Sequence, residues 1–438
     1  LDKVDYKQKT VLVCDHGMYV HVAIKLVQYF GKVLYYTDWQ CAFPTCEPLL
    51  VGEGFEGVTR IKDIFNEGMN ADLYVFTDIY FSGLQQELLR QGKRVWGPRN
   101  GDELEIFRWR TKQMLPSLGL PMPPGEKITG IAKLRAYLKK HDDVFVKVSG
   151  LRGMMETHHH DNYDLSLNWL DRLEAQISGV KDVITFIVDS KVGTDEDTVE
   201  VGFDGWTIDG QYPEIASFGY ELKDCGLLSV VRPYSEFPEP ITKVMDAFGP
   251  VLQDHYYRGF CCAEIRVNKE GSWMIDWASR CGSPSSEALM EFYSNWPEIL
   301  WFGAEGRLIK PEQVAKFGVE IVLHSPNADP EEWKVVQIDD KARPWIKMHN
   351  WAIINGRDTI CPQEFPLKEF GAIVGIGDTL EEAIKSVREH CDGVKSSDVE
   401  FKHDSIEDGL KEIKKGEELG IDFGADLDVD KEGETEEV

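Results

Sequence analysis

The sequence predicts an α/β and α+β protein, with a doubly wound N-terminal domain, a mixed-sheet central region and a small α/β domain near the C-terminus. Three observations predict it. Short apolar runs alternate with amphipathic helical patterns as far as Gly97. Longer β-branched and aromatic runs then recur between residues 144 and 277. A glycine-flanked apolar run at 371–377 leads into a well-signalled helix at 379–390. At 438 residues the chain is long enough for two to four domains.

The first strand is Val11-Leu12-Val13-Cys14, which breaks at Asp15-His16-Gly17. Val20, Ala23, Ile24 and Val27 then share one helical face, predicting a helix over 19–30. A strand at 32–36 runs to Asp38, and a β-loop-α-β start ending in an acidic residue is typical of doubly wound domains. Strands at 71–76 and 94–98, with a helix at 83–91 between them, complete a domain expected over residues 1–97.

A helix over 102–117 follows, stopped by Gly119 and Pro121. Strands are expected at 144–148, 183–188, 198–203, 260–267 and 273–277, within a region assigned to 98–309. A third domain, 310–403, holds strands at 318–323, 351–356 and 371–377, and Asp378 is the expected N-cap of its helix. From Asp404 to Val438 there are 14 acidic and 4 basic residues with dispersed glycines, so 404–438 is expected to be a disordered tail.

The formal charge of −28 argues against broad binding to nucleic acid or anionic membranes, whose phosphates it would repel. Charge alone also suggests a nucleic-acid mimic, whose binding deletion of Asp404–Val438 would abolish. No apolar run is long enough to span a membrane, and residues 1–10 are polar, so no secretory leader is expected. The nine cysteines are scattered without a CxxC pair, which predicts reduced thiols in a cytoplasmic protein.

Two segments carry the chemistry. Lys147 lies inside the apolar strand Phe145-Val146-Lys147-Val148, and a buried ammonium needs an anion. Ser149-Gly150 follows, where backbone N–H groups can approach a phosphate. The second segment, Ile275-Asp276-Trp277-Ala278-Ser279-Arg280-Cys281-Gly282-Ser283-Pro284, ends a strand in a carboxylate and an Arg-x-Gly-x-Pro turn. Glu264, in the strand before it, supplies a second carboxylate. Two such groups on neighbouring strands suit Mg²⁺ bridging nucleotide phosphates.

These segments, in this order, resemble the ATP-grasp ligases, and within them most the phosphoribosylamine–glycine ligase family. Further matches are Gly97-Pro98 with Arg108 and Lys112, Gly119-Leu120-Pro121, and Gly377-Asp378-Thr379-Leu380-Glu381-Glu382-Ala383. The resemblance implies an ATP-grasp fold with a preceding doubly wound domain and a small C-terminal domain. It implies ATP and Mg²⁺ as cofactors, with small-molecule carboxylate and amine substrates. Lys147 and Arg108 would meet the ATP phosphates, with Lys112 a further candidate, near Ser149 and Gly150. The adenine hinge would be Phe186-Ile187-Val188-Asp189 with Gly193, Asp195 and Glu196. Glu264 and Asp276 would hold Mg²⁺. Arg280 would stabilise the γ-phosphate or the acyl phosphate. Substrate contacts would come from Asp15, His16, Gly17, His21, Gly226, Gly282 and Ser283, with His16 and His21 alternatively packed beneath the sheet.

The departures from the pattern are specific. Ala278 replaces the family's metal-binding Asn, Gly153-Met154-Met155-Glu156 replaces its Gly-Lys-Gly lid with Arg152 as the nearby cation, and Asp224-Cys225-Gly226 only echoes its substrate loop. They suggest a second reading, a catalytically lapsed homologue that binds nucleotide or a partner without ligating. Bland readings apply elsewhere. His158-His159-His160 is expected in a solvated loop, Trp109 and Trp277 in the core, and the stretch Trp296 to Trp301 packed between domains. Cys261 and Cys262 alternate across a strand, so at most one faces a site.

Overall fold

The computed structural model describes residues 3–37, 50–150, 157–222, 225–325, 332–362 and 369–425. The first sheet is parallel throughout, in the order Val58–Arg60, Lys32–Thr37, Thr10–Asp15, Leu73–Phe76, Arg94–Trp96. Parallel strands are covered on both faces, which is why Val11 to Cys14 reads as an unbroken apolar run and is wholly buried. Strand order reverses at Thr10–Asp15, opening a crevice beyond its carboxyl end. The helix expected over 19–30 spans only Val20–Leu26, because the chain must turn to bring Gly31 against the Lys7 carbonyl. Val58–Arg60 has no sequence signal, being three residues long with only two β-branched side chains.

Two antiparallel sheets form the centre. One has the order Gly125–Thr129, Thr185–Ser190, Val144–Val148, Thr157–His160, and packs its own small core against the helices Ile131–Leu138 and Tyr163–Gln176. The other has eight strands: Gly271–Ala278, Arg258–Asn268, Val199–Ile208, Ile215–Leu222, Gly226–Pro233, Phe317–His324, Glu369–Gly377 and Ile346–Met348. The boundary expected at 309/310 therefore runs through a continuous sheet. Phe317–His324 pairs with Gly226–Pro233, so neither strand leaves an open row of backbone donors and acceptors. A further sheet, Trp351–Ile354, Arg357–Ile360, Lys334–Ile338, Val394–Lys395, completes the third region.

Four local expectations are corrected. The helix at 102–117 breaks at Phe107 (φ −103°, ψ 53°) into Glu103–Ile106 and Arg108–Met114. Thr379, not Asp378, is the N-cap of Leu380–Cys391, in a capping box with Glu382. His158, His159 and His160 form a strand rather than a loop: His158 stacks on Trp169 (4.1 Å between centroids), and His160 is buried on Ser166 and the Leu138 carbonyl. The acidic tail begins with a helix, Ser405–Glu418, whose Ile406 and Ile413 are buried, as are Ile421 and Phe423 beyond it. Composition hid this, because the acids occupy the face opposite an apolar stripe.

Trp109 is only half-buried, whereas Trp277 is core. As expected, the Trp296–Ala304 helix joins regions: Trp301 contacts Tyr6 and Arg94, and Trp296 packs on Trp206 and Phe260. Among the described residues no helix is long and apolar enough to cross a membrane, and no disulfide joins the described cysteines.

Candidate functional site

A cleft of about 1080 Å³ lies between the four-stranded and eight-stranded sheets. At its inner end cations from separate elements converge on one carboxylate. The Lys147 ammonium donates to the Ile275 carbonyl (2.9 Å) and to Asp276 Oδ2 (3.2 Å). Arg108 Nε, from the first turn of Arg108–Met114, donates to Asp276 Oδ1 (3.3 Å), which also accepts from the Trp277 N–H (3.0 Å). Burial alone would raise the Asp276 pKa, but Arg108 and Lys147 outweigh it and hold the group well below the usual carboxylate range. The same contest favours the charged lysine, since Asp276, Asp189 and Glu264 more than offset the desolvation of Lys147.

Glu264 stands directly opposite Asp276 in the antiparallel pair Arg258–Asn268 and Gly271–Ala278. Burial, the Asp276 charge and Glu200 together push its pKa up to about 7. A carboxylate pair carrying this repulsion is what a divalent cation would relieve. Mg²⁺ typically takes one or two protein carboxylates and completes its shell with phosphate oxygens and water. The pair fits such an ion. Among the described residues no group of three or more His, Cys, Asp or Glu forms a metal cage, and Ala278, which lines the cleft, offers no ligand.

Arg280 lines the same cleft. Its Nε donates to Glu105 Oε1 (3.0 Å), and its Nη1 donates to the Cys281 carbonyl (2.9 Å) and Tyr19 Oη (3.3 Å). Glu105 is buried and also accepts from the Ser279 N–H (2.7 Å), so the carboxylate fixes both the arginine and the turn that carries it. Gly282 is required in this turn: a Cβ there would lie 1.9 Å from Ser285 Oγ and 2.9 Å from Cys262 Sγ.

The structure thus brings Lys147, Arg108, Glu264, Asp276, Arg280 and Ser283 to one cleft, with Asp189 and Asp195 also on its wall and Gly282 in an adjoining pocket. Other expected residues lie elsewhere. Lys112 is ion-paired with Asp189 in a smaller adjoining pocket that Arg108, Lys147 and Asp276 also line. Val188 is buried within its sheet, paired with Glu126 and Val146, so Ser190, Lys191 and Val192 line the cleft where the hinge was expected. Glu196 faces an adjacent cavity of about 480 Å³. Ser149 Oγ and the Gly150 N–H both bind the Ile106 carbonyl, because the break at Phe107 presents that oxygen to them.

The N-terminal candidates make contacts within the fold. Asp15 accepts from the His16 and Tyr19 N–H groups and from Tyr35 Oη. His16 stacks on Phe81 (4.5 Å), with Nε2 on the Ile79 carbonyl. Gly17 abuts Asn350, and His21 is buried at 1% exposure near Glu287, Lys347 and His349. Gly226 opens a strand against Glu320, where a Cβ would meet that backbone carbonyl. Arg152, the lid 153–156 and Asp224 lie outside the described residues.

Sequence reading missed Glu105, Glu200, Glu221 and Arg266, as well as Asp408 and Glu412 of the terminal helix, all of which line the cleft. Alternation along Val199–Ile208 and Arg258–Asn268 could have shown that Glu200 and Arg266 share the face of Glu264. Nothing local marked the others.

No family model matches the chain. Solved structures do. The chain superposes on phosphoribosylamine–glycine ligase from Thermotoga maritima with a TM-score of 0.64 and 17% identity, covering 90% of this chain and 99% of that one. For biotin carboxylase from Campylobacter jejuni in its β,γ-ATP complex, the TM-score is 0.56 and the identity 13%, over 90% and 92%. For the biotin carboxylase domain of Hydrogenobacter thermophilus 2-oxoglutarate carboxylase, with MgADP, ADP and bicarbonate, the values are 0.58 and 12%, over 91% and 97%. The chain has the ATP-grasp fold, and the resemblance read from its motifs is borne out at that level.

Proposed function

We propose that this protein is an ATP- and Mg²⁺-dependent carboxylate–amine ligase, joining a small amino acid such as glycine to an amine through an acyl phosphate. The observation that carries the reading is the convergence of Lys147 and Arg108 on Asp276, opposite Glu264, inside the cleft. Held together on Asp276, the two cations are poised for phosphate oxygens. Glu264 and Asp276 would hold Mg²⁺, which would supply neutralising charge at the phosphates. The domain division 1–97, 98–309 and 310–403 belongs to this reading, although the large sheet joins the last two.

A carboxylate oxygen of the amino acid takes the γ-phosphoryl group of ATP and ADP leaves. Lys147 and Arg108 orient the phosphates, and Arg280 balances charge on the transferred group. The amine nitrogen then attacks the acyl carbon. The C–O bond to phosphate breaks, the nitrogen loses a proton, and amide and phosphate result.

Ala278 at the expected Asn position supports a second reading, a homologue that binds nucleotide without ligating. One experiment separates them: phosphate release from Mg·ATP against a pool of amino acids and small amines, with thermal unfolding on the same samples. Ligation requires amino-acid-dependent release that Lys147→Ala and Asp276→Ala each abolish. A thermal shift with Mg·ATP but no release supports the binding-only reading. Turnover persisting in both variants sinks the site assignment.

A further inference from the structure

We infer that the buried pair His349–Glu287 fixes the Ser283 hydroxyl as a hydrogen-bond donor to the oxygens of an acyl phosphate beside Arg280; this deepens the ligase reading and rests on it. Ser283 lines the cleft, whereas His349 and Glu287 lie behind it at 2% and 0% exposure. His349 follows the Ile346–Met348 strand of the third region, and Glu287 sits in the short Ser286–Leu289 helix. The contact therefore crosses the fold, and no sequence spacing announces it.

The polarity of these hydrogen bonds follows from which groups can donate. Glu287 Oε2 accepts from the Ser285 N–H (3.3 Å) and from Ser286 Oγ (3.2 Å). Burial works against its charge, but hydrogen bonding, led by that from His349, holds the group below the usual carboxylate range. A carboxylate only accepts. The His349 Nε2 that faces Glu287 Oε1 at 3.2 Å must therefore carry a hydrogen. The Nδ1 atom has no hydrogen-bond partner among the described residues.

The same Nε2 lies 3.1 Å from Ser283 Oγ. Its one hydrogen is shared by both oxygens, so Ser283 accepts from the ring and its own hydrogen points away from it. Pointing away from the ring, the Ser283 O–H can face the cleft that Ser283 and Arg280 both line. A fixed hydroxyl donor beside a cation matches the anionic oxygens of an acyl phosphate and does not match an ammonium. His349 and Glu287 are positioning residues, acting only through Ser283.

The test uses acetyl phosphate as the probe, titrated calorimetrically into the full chain with Mg·ADP present. Ser283→Ala should weaken acetyl phosphate binding about tenfold, the loss of one hydrogen bond to a charged group. His349→Phe should weaken it as much, while His349→Gln, whose amide N–H can replace Nε2–H, should restore most of the affinity. The double variant Ser283→Ala/His349→Phe should be no weaker than Ser283→Ala alone, because the two changes remove one interaction. Additive losses, wild-type affinity in Ser283→Ala, or no acetyl phosphate binding by the wild type overturns the inference. So does a parallel loss of Mg·ADP affinity in the variants, which marks a merely structural effect. If His349→Phe fails to fold, Ser283→Ala against His349→Gln still decides. Failure of Mg·ADP to bind the wild type would instead refute the ligase reading beneath it.

Discussion

At the scale of single residues, burial governs which side chains can take up a proton, and His21 shows it. It was a candidate for substrate contact because it follows the first strand-to-helix turn. The structure buries it, with neither ring nitrogen hydrogen-bonded among the described residues, and burial lowers its pKa from 6.5 to about 4. Between those values the unfolded chain binds a proton that the folded chain refuses. Unfolding is then linked to proton uptake, and stability falls as pH drops from 6.5 to 4 and rises as pH is raised. The effect can reach ~3 kcal/mol. Replacing His21 by Leu should remove that part of the slope, measured by urea unfolding of both proteins at pH 7 and pH 4.5. An equal pH dependence in both proteins would refute the assignment.

At the scale of elements, the terminal helix shows how a local pattern survives under a misleading composition. Ile406, Leu410 and Ile413 recur at helical spacing, and the helix lies across the Ile215–Leu222 and Gly226–Pro233 strands. Gly409 is pressed against Leu228 and Gly416 against Tyr220, contacts that a larger side chain would not allow. Lys415 donates to the Asp195 carbonyl (2.6 Å), which ties the helix to the segment lining the cleft. Ile413→Ala should therefore cost ~3 kcal/mol by cavity formation, measured by urea unfolding of the full chain. A disordered tail would show no change.

At the scale of the whole molecule, the regions are bound by ion pairs as well as by one continuous core. Glu291 accepts from Lys25 of the first region (2.5 Å) and Lys347 of the third (2.7 Å), all three largely buried. Burial opposes its charge, but the two ammonium groups hold its pKa below the usual range. Glu291→Ala strands both lysines and should destabilise by ~3–5 kcal/mol. Tryptophan fluorescence and circular dichroism should still report coincident transitions, because the apolar contacts between regions remain. Separate transitions would show that this carboxylate alone couples them.

The sequence by itself determined the doubly wound start, the lysine strand, the two carboxylate strands and the arginine turn, because each is written in neighbouring residues with a period of 2 or 3.6. It also carried enough ordered motifs to predict the ATP-grasp fold. Only the tertiary structure decided which polar residues meet. It placed Glu105 on Arg280 and His349 on Ser283, and it buried Asp15 and His21. It also ran one sheet across the expected boundary at 309/310. The physical reason is common to all of these: hydrogen bonds and charge pairs act over about 3 Å in space, at sequence separations that no local pattern encodes.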